Sequence, residues 1–317
     1  MSIFQRFKDN FSKLHNTNDV AIAVSGGSDS LALCFLVKEC LDEKNLKTIA
    51  FIVNHNLREE SLKEAQSVKN LLDNCGFEVH IIDWEGIKPT SNIQEAARLA
   101  RYKLLTDFCH KNNITYLATG HQQNDQAENF IIRAEHGAGV YGLSGIPETS
   151  SYNGITLIRP LLNFTKEELQ NYLKHKNIKW IEDPSNNNER FARVRARNFL
   201  KQFPKWAPRI SQISKNLSNT KEAIDFYVNK EIDILVRRHE SFSALKLNEF
   251  NQLPQEIRFR IIAKILQEVG NNSKPARAER IERLLNKIQD ERSFKASTLS
   301  GCLIKRKKED LIFSKEI

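Results

Sequence analysis

No stretch of this 317-residue chain approaches the apolar length that a membrane helix needs, and its opening residues, MSIFQRFKDNFSKLHN, contain no apolar signal core. The expected location is therefore the cytoplasm. Cysteine is sparse and unpatterned: Cys34, Cys40, Cys75, Cys109 and Cys302 include no C-x-x-C pair. That argues against disulfides, zinc and an iron–sulfur cluster, and for reduced thiols packed as small hydrophobes. Two common phosphate-binding spellings are also missing. Neither G-x-x-x-x-G-K-[ST] nor G-x-G-x-x-G occurs, so β- and γ-phosphates are not held as a P-loop kinase or GTPase holds them. Acidic residues run short in the second half: residues 1–183 carry 20 Lys+Arg against 23 Asp+Glu, and residues 184–317 carry 28 against 16. The net charge of +9 thus belongs to the second half, which fits a polyanion larger than a nucleotide, most simply a nucleic acid, or else a solvated lysine-rich surface.

What is present points to a soluble globular protein long enough for two domains, with 40% hydrophobic residues. The organising stretch is Ala21–Ser30, AIAVSGGSDS. Asp19 to Val24 reads as a short buried strand, and Leu31, Cys34 and Phe35 then recur at helical spacing, so Ser25–Ser30 lies where a strand turns into a helix. Two glycines let backbone approach a ligand closely, three serines add hydroxyls, and a helix N-terminus adds unpaired N–H groups. The segment reads as a phosphate cradle.

Further strands are expected at 47–53, 77–84 and 114–119, alternating with helices at 61–74 and 93–111, which means βαβ units and a parallel sheet. Ligands then belong beyond the carboxyl strand ends, where His55 and Arg58 also fall. Asn92 is a candidate cap for the 93–111 helix, on which Arg98 and Tyr102 stand one turn apart and Arg98 and Arg101 lie on or near the side opposite an apolar one. The strand at 114–119 opens into Gly120–Glu128. Asp125 and Glu128 stand one turn apart there, placed to hold Mg²⁺, to orient a substrate amine, or simply to complement a helix dipole. Glycines at 137, 139, 142 and 145 predict a loop, Thr165-x-x-Glu168 a capping box, and Arg190, Arg193, Arg195, Arg197 and Lys201 a helix too arginine-rich for one solvated face. Pro204 and Pro208 mark a boundary between residues 1–204 and 205–317. The second part reads as mostly helical (210–238, 254–269, 277–288), with a hairpin around Lys305–Lys308.

Ser25-Gly26-Gly27-Ser28-Asp29-Ser30 resembles the SGGxDS pyrophosphate loop of ATP pyrophosphatases. With His136–Pro147, Arg159-Pro160-Leu161-Leu162 and Trp180-x-x-Asp183-Pro184-Ser185-Asn186, it resembles the ordered motif series of the tRNA(Ile)-lysidine synthetase family over residues 19 to 200. The resemblance implies a Rossmann-like parallel sheet of the adenine nucleotide alpha hydrolase type, followed by a smaller basic helical domain that grips tRNA. It implies an enzyme that adenylates the wobble cytidine of an isoleucine tRNA with a CAU anticodon and lets free L-lysine displace AMP. Its cofactors are ATP and Mg²⁺. No membrane is involved, and a homodimer stays open.

By the same resemblance, Ser25, Gly26, Gly27, Ser28, Asp29 and Ser30 hold pyrophosphate, Asp29 and Asp125 manage the metal, Glu128 and Arg193 orient the cytidine, and Arg101 supports ATP or RNA. The sequence departs from the family's G/A-H-H-x-D-D-Q-A-E at Gln122 and Asn124, and Val194 stands where asparagine is expected after Arg193. The family's larger members carry a further C-terminal module with no counterpart read here. Two rivals remain. A tRNA thiolase of the same superfamily would want paired cysteines, and a non-catalytic tRNA-binding relative would release no pyrophosphate.

Overall fold

In a computed structural model, the described residues are 1–15, 18–54, 61–84, 93–182, 192–271, 276–289 and 294–316, with side chains 93–95 left aside. His55, Arg58, Asn92, Asp183–Asn186 and Arg190 lie outside them. The chain packs as two compact units, Met1–Ser218 and Asn219–Ile317.

The first unit opens with α1 (Ile3–Leu14), an element the sequence reading passed over, capped where the Ser2 hydroxyl accepts from Gln5 N–H at 3.2 Å. Strand β1 (Val20–Val24) leads to α2 (Ser28–Asp42), β2 (Thr48–Asn54), α3 (Ser61–Asn74), β3 (Glu78–Asp83), α4 (Ile93–Lys111) and β4 (Tyr116–Thr119). There follow α5 (Gln123–Glu135), α6 (Val140–Leu143), β5 (Thr149–Tyr152), β6 (Ile155–Ile158), α7 (Lys166–His175) and α8 (Ala192–Gln202). The sheet order is β3-β2-β1-β4-β6-β5, and only β5 runs antiparallel to its neighbour. The order reverses between β1 and β4, which opens a crevice beyond their carboxyl ends.

Period-2 geometry sends Val20, Ile22 and Val24 into one core with Phe7, Phe11 and Leu31, while Ala21 faces a second core containing Phe51, Tyr102 and Leu105. Burial on both sides is why these strands read as nearly unbroken apolar runs. The glycine-rich segment departs from the expected loop. One helical turn, α6, forms in it, with Leu143 N–H donating to Gly139 O at 2.9 Å. Four residues are too few for glycine's entropy cost to prevail, and Gly142 is needed there because a Cβ would lie 2.5 Å from the Ala138 Cβ.

Helix α9 (Trp206–Leu235) runs for 30 residues, and the division between units falls within it. Its first turns pack Ala207 and Ile210 against Ala127 and Leu200, which is why the first unit extends past Pro204. The second unit adds β7 (Val236–Arg238), β8 (Phe242–Lys246), α10 (Leu247–Asn251), α11 (Gln255–Gly270), α12 (Ala278–Gln289), β9 (Ala296–Leu299), β10 (Cys302–Lys307) and β11 (Asp310–Lys315). The expected hairpin is β10–β11. It is the inner part of a five-stranded antiparallel sheet, β7-β8-β11-β10-β9, whose buried side packs Ile304, Leu311 and Phe313 against α11 and α12. Among the described residues no helix is long and apolar enough to cross a membrane.

Candidate functional site

Between β1 and α2 the chain turns sharply at Gly26, whose φ of +81° is open to glycine without strain; a Cβ there would also lie 2.7 Å from Val68 Cγ2 on α3. Gly26 O accepts from Ile181 N–H at 2.9 Å. Gly27 O accepts from the Ser30 hydroxyl and from Leu31 N–H, each at 3.1 Å. Ser25 N–H donates to Ser30 Oγ at 3.2 Å, and the Ser28 hydroxyl donates to Asp29 Oδ1 at 3.0 Å. The N-terminus of α2 therefore faces the crevice with amide donors and its dipole's positive end. Gly120, just past β4, closes the approach: a Cβ would stand 3.0 Å from Ser30 N and 3.1 Å from the Asp29 carbonyl carbon.

Beyond these strand ends lies a cavity of about 660 Å³. Ser25, Gly27, Asp29 and Ser30 line it from the loop, Arg101 and Tyr102 from α4, His121 and Asp125 from the β4–α5 turn, and Arg193 from α8. Ser28 of the same loop is buried. Burial holds the Asp29 carboxyl above its ordinary range, with nearby Lys166 working against the shift and Asp125 reinforcing it. Burial likewise raises Asp125, opposed by Gln122 N–H and by Arg193, Arg197 and Lys166. Lys166 was not singled out from the sequence, although the Thr165–Glu168 capping box that sets it at the start of α7 was, and forms as expected.

The start of α5 shows how the two departures are accommodated. Gln122 is the N-cap, its Oε1 accepting from Asn124 N–H at 2.7 Å, and Asp125 Oδ2 accepts from Gln122 N–H at 2.9 Å. Asp125 thus caps the helix while lining the cavity, so the dipole reading and the functional reading of this carboxylate coexist. Glu128 behaves differently. It is buried and its carboxylate is committed to Arg197, with Nε donating at 2.9 Å. Glu128 is thus engaged by Arg197 of α8, the helix that also carries Arg193, the residue with which it was expected to act. Arg193 and Arg197, four apart, share the α8 face that meets α5, so the Glu128–Arg197 pair sets where Arg193 stands.

His121 is pushed down to about 3 by burial first and then by Arg159, Arg101, Arg98 and Arg193; its Nδ1 sits 2.9 Å from Thr119 Oγ1. It is neutral at physiological pH. Two further residues fall within quoted motifs but were given no role from the sequence. Gln126 donates from Nε2 to Ile146 O at 2.7 Å and accepts from Ile146 N–H at 2.6 Å, pinning the end of the glycine-rich segment to α5. Buried Arg159 donates to Pro147 O at 2.8 Å and to Ser150 Oγ at 3.1 Å, and so fixes the segment's other side. Both links join positions 9 to 20 residues apart across a turn. Only the spelling of the motifs around Gln126 and Arg159 hinted at either.

Among the described residues no group of three or more His, Cys, Asp or Glu is arranged to hold a metal ion. The Asp29–Asp125 pair nevertheless fits Mg²⁺. Both offer hard oxygen, both resist ionisation through burial, and a cation that takes its remaining ligands from phosphate oxygens and water would favour their charged forms. The cysteines are all free, and the thiols of Cys34, Cys40, Cys109 and Cys302 are raised by burial, Cys40 to about 11. They are core residues.

Residues 2–203 match the PP-loop domain family. The chain is 37% identical over 313 residues to the tRNA(Ile)-lysidine synthase of Wolbachia pipientis wMel, covering 97% of this chain and 72% of that protein. It is 35% identical over 323 residues to the protein of that name from Orientia tsutsugamushi (strain Boryong), again covering 97% and 72%. A solved structure with a similar fold is the U34-tRNA thiolase NcsA from Methanococcus maripaludis with its [4Fe-4S] cluster, at TM-score 0.58 and 20% identity, covering 68% of this chain and 78% of that one. At that identity the likeness concerns the fold.

Proposed function

The chain belongs to the tRNA(Ile)-lysidine synthase family of PP-loop, ATP-consuming ligases, and from that premise we propose that the crevice between β1 and β4 joins free L-lysine to C2 of the wobble cytidine of an isoleucine tRNA with a CAU anticodon. The cytosine O2 attacks the α-phosphorus of ATP, the bond to the bridging oxygen of the β-phosphate breaks, and pyrophosphate leaves. A lysine amine then attacks C2, the C2–O bond breaks, AMP leaves, and the amine gives up a proton. Activation is needed because O2 is a poor leaving group until AMP is attached to it.

In this reading the amides and hydroxyls of Ser25–Ser30 receive the departing pyrophosphate. Asp29 and Asp125 would hold Mg²⁺, which when bound would supply positive charge to offset that of the leaving group. Asp125, which lines the same cavity, also accepts the amine proton in the second step. Arg101 supports ATP or the RNA backbone, and Arg193 orients the cytidine. Glu128 works at one remove, holding Arg197 and through it α8. The observation that carries the reading is that amide donors, two opposed carboxylates and two arginines converge on one cavity at the sheet's reversal point.

The test is release of pyrophosphate from ATP in the presence and absence of lysine and isoleucine tRNA, with mass analysis of the tRNA nucleosides. The expected result is release that needs both, and a cytidine heavier by one lysine less a water. A thiolase would not need lysine and a mere binder would release nothing. Either outcome overturns the proposal.

A further inference from the structure

The junction of α8 and α9 carries a feature that the cavity does not use. Phe199, Phe203 and Trp206 form a cluster of three rings, with centroids 5.1 Å apart for Phe199–Phe203, 5.4 Å for Phe199–Trp206 and 6.1 Å for Phe203–Trp206. Phe199 is anchored, partly buried against Ala127, Leu200 and Ile210. The other two rings are left bare, Phe203 at 46% and Trp206 at 48% exposure. Large aromatics so presented carry an apolar cost that a monomer ordinarily avoids. Pro204 and Pro208 stiffen the elbow, and Trp206 N–H donates to Phe203 O at 2.9 Å, so the rings are held rather than dangling.

The charges around the rings narrow the choice of partner. Lys201, Lys205 and Arg209 alternate with the two rings along the chain, all are exposed, and among the described residues none makes an ion pair. A neutral protein surface would leave three cations unanswered. A duplex would use the cations and leave the rings idle, since its bases are already stacked. An unpaired stretch of RNA uses both, its bases lying on aromatic faces and its phosphates running past the basic side chains. We infer that Phe203 and Trp206 form a stacking platform for unpaired nucleotides of the substrate RNA, flanked by Lys201, Lys205 and Arg209 as phosphate contacts. This rests on the proposed tRNA substrate and adds to it an RNA-binding surface on the first unit.

Steady-state pyrophosphate release by the full-length chain tests it, with isoleucine tRNA varied at saturating ATP and lysine. The F203A/W206A variant is expected to raise the KM for tRNA five-fold or more, with kcat at saturating tRNA, the KM for ATP and the melting temperature unchanged. Because a lost ring can also loosen packing, W206F and W206L are compared: stacking predicts that W206F restores the KM for tRNA and that equally apolar W206L does not. An unchanged KM in a folded F203A/W206A variant overturns the inference. So does a change in oligomeric state at unchanged KM, which would make the patch a contact between copies. Failure of the underlying reading looks different, since wild-type protein would then show no lysine-dependent turnover at all.

Discussion

Replacing Arg197 with methionine keeps most of the side chain's length and apolar stem and removes a cation hydrogen-bonded to Glu128. The carboxylate it leaves behind is 3% exposed, on the face where α5 meets α8. Breaking a buried ion pair from one side costs about 3–5 kcal/mol, and because Arg197 itself is partly exposed the lower end applies, about 3 kcal/mol. For a unit of this size that is a fall in melting temperature of roughly 6–12 °C. The deficit depends on pH. Burial already raises Glu128 above its ordinary range while Arg197 holds it down, so the substitution raises it further. A carboxyl raised in the folded state binds more protons there than in the unfolded chain. The deficit is therefore largest in mildly alkaline buffer and shrinks as pH falls through the folded-state value. Calorimetry of wild type, R197M and E128Q/R197M across that range is the assay. The double variant should recover at least half of the loss, because a neutral amide tolerates burial without a cation. R197M melting within about 2 °C of wild type, or a double variant as unstable as the single one, would refute the assignment of Glu128 to a structural pair.

Other perturbations probe the cavity. Asp29→Ala should abolish pyrophosphate release while leaving tRNA affinity, measured by filter binding, within about two-fold of wild type. Gln126→Ala removes both hydrogen bonds to Ile146, and because the freed segment borders the site, kcat should fall by about ten-fold or more with the KM for ATP little changed; equal loss in both would point to the phosphate loop instead. His121 takes up its proton near 6.5 when unfolded but only near 3 when folded, so its contribution to stability is lost as pH falls through that window. Urea titrations should find H121Q less sensitive to acid than wild type over the same interval.

How much of this could be read from residue order depends on the range of the interactions. The strand–turn–helix at Ala21–Ser30 was legible because period 2 gives way to period 3.6 at a glycine pair, all within ten residues. The Thr165–Glu168 box was legible for the same reason: it spans one turn. The hydrogen-bond partner of Glu128 was not legible because Arg197 lies 69 residues away. From spacing alone, nothing says which of five basic residues between 190 and 201 a buried carboxylate will meet. Lys166 was overlooked because its significance comes from Phe164 O accepting from Gln123 N–H at 3.0 Å, a long-range backbone link that brings the start of α7 up to the start of α5. The terminal sheet was half seen. Strands β7, β8 and β9 are three to five residues long, too short for alternation to stand out from the surrounding helices.

The two glycine carbonyls in the turn after β1 bear on what that turn will admit. An oxygen lone pair aimed at a triphosphate would repel it, yet Gly26 O is occupied by Ile181 and Gly27 O by Ser30 and Leu31. With its acceptors engaged elsewhere, the turn has mainly hydrogen to present. It acts as a polarity filter whose backbone welcomes an anion of any shape that fits, and it leaves any accompanying cation to the carboxylates of Asp29 and Asp125.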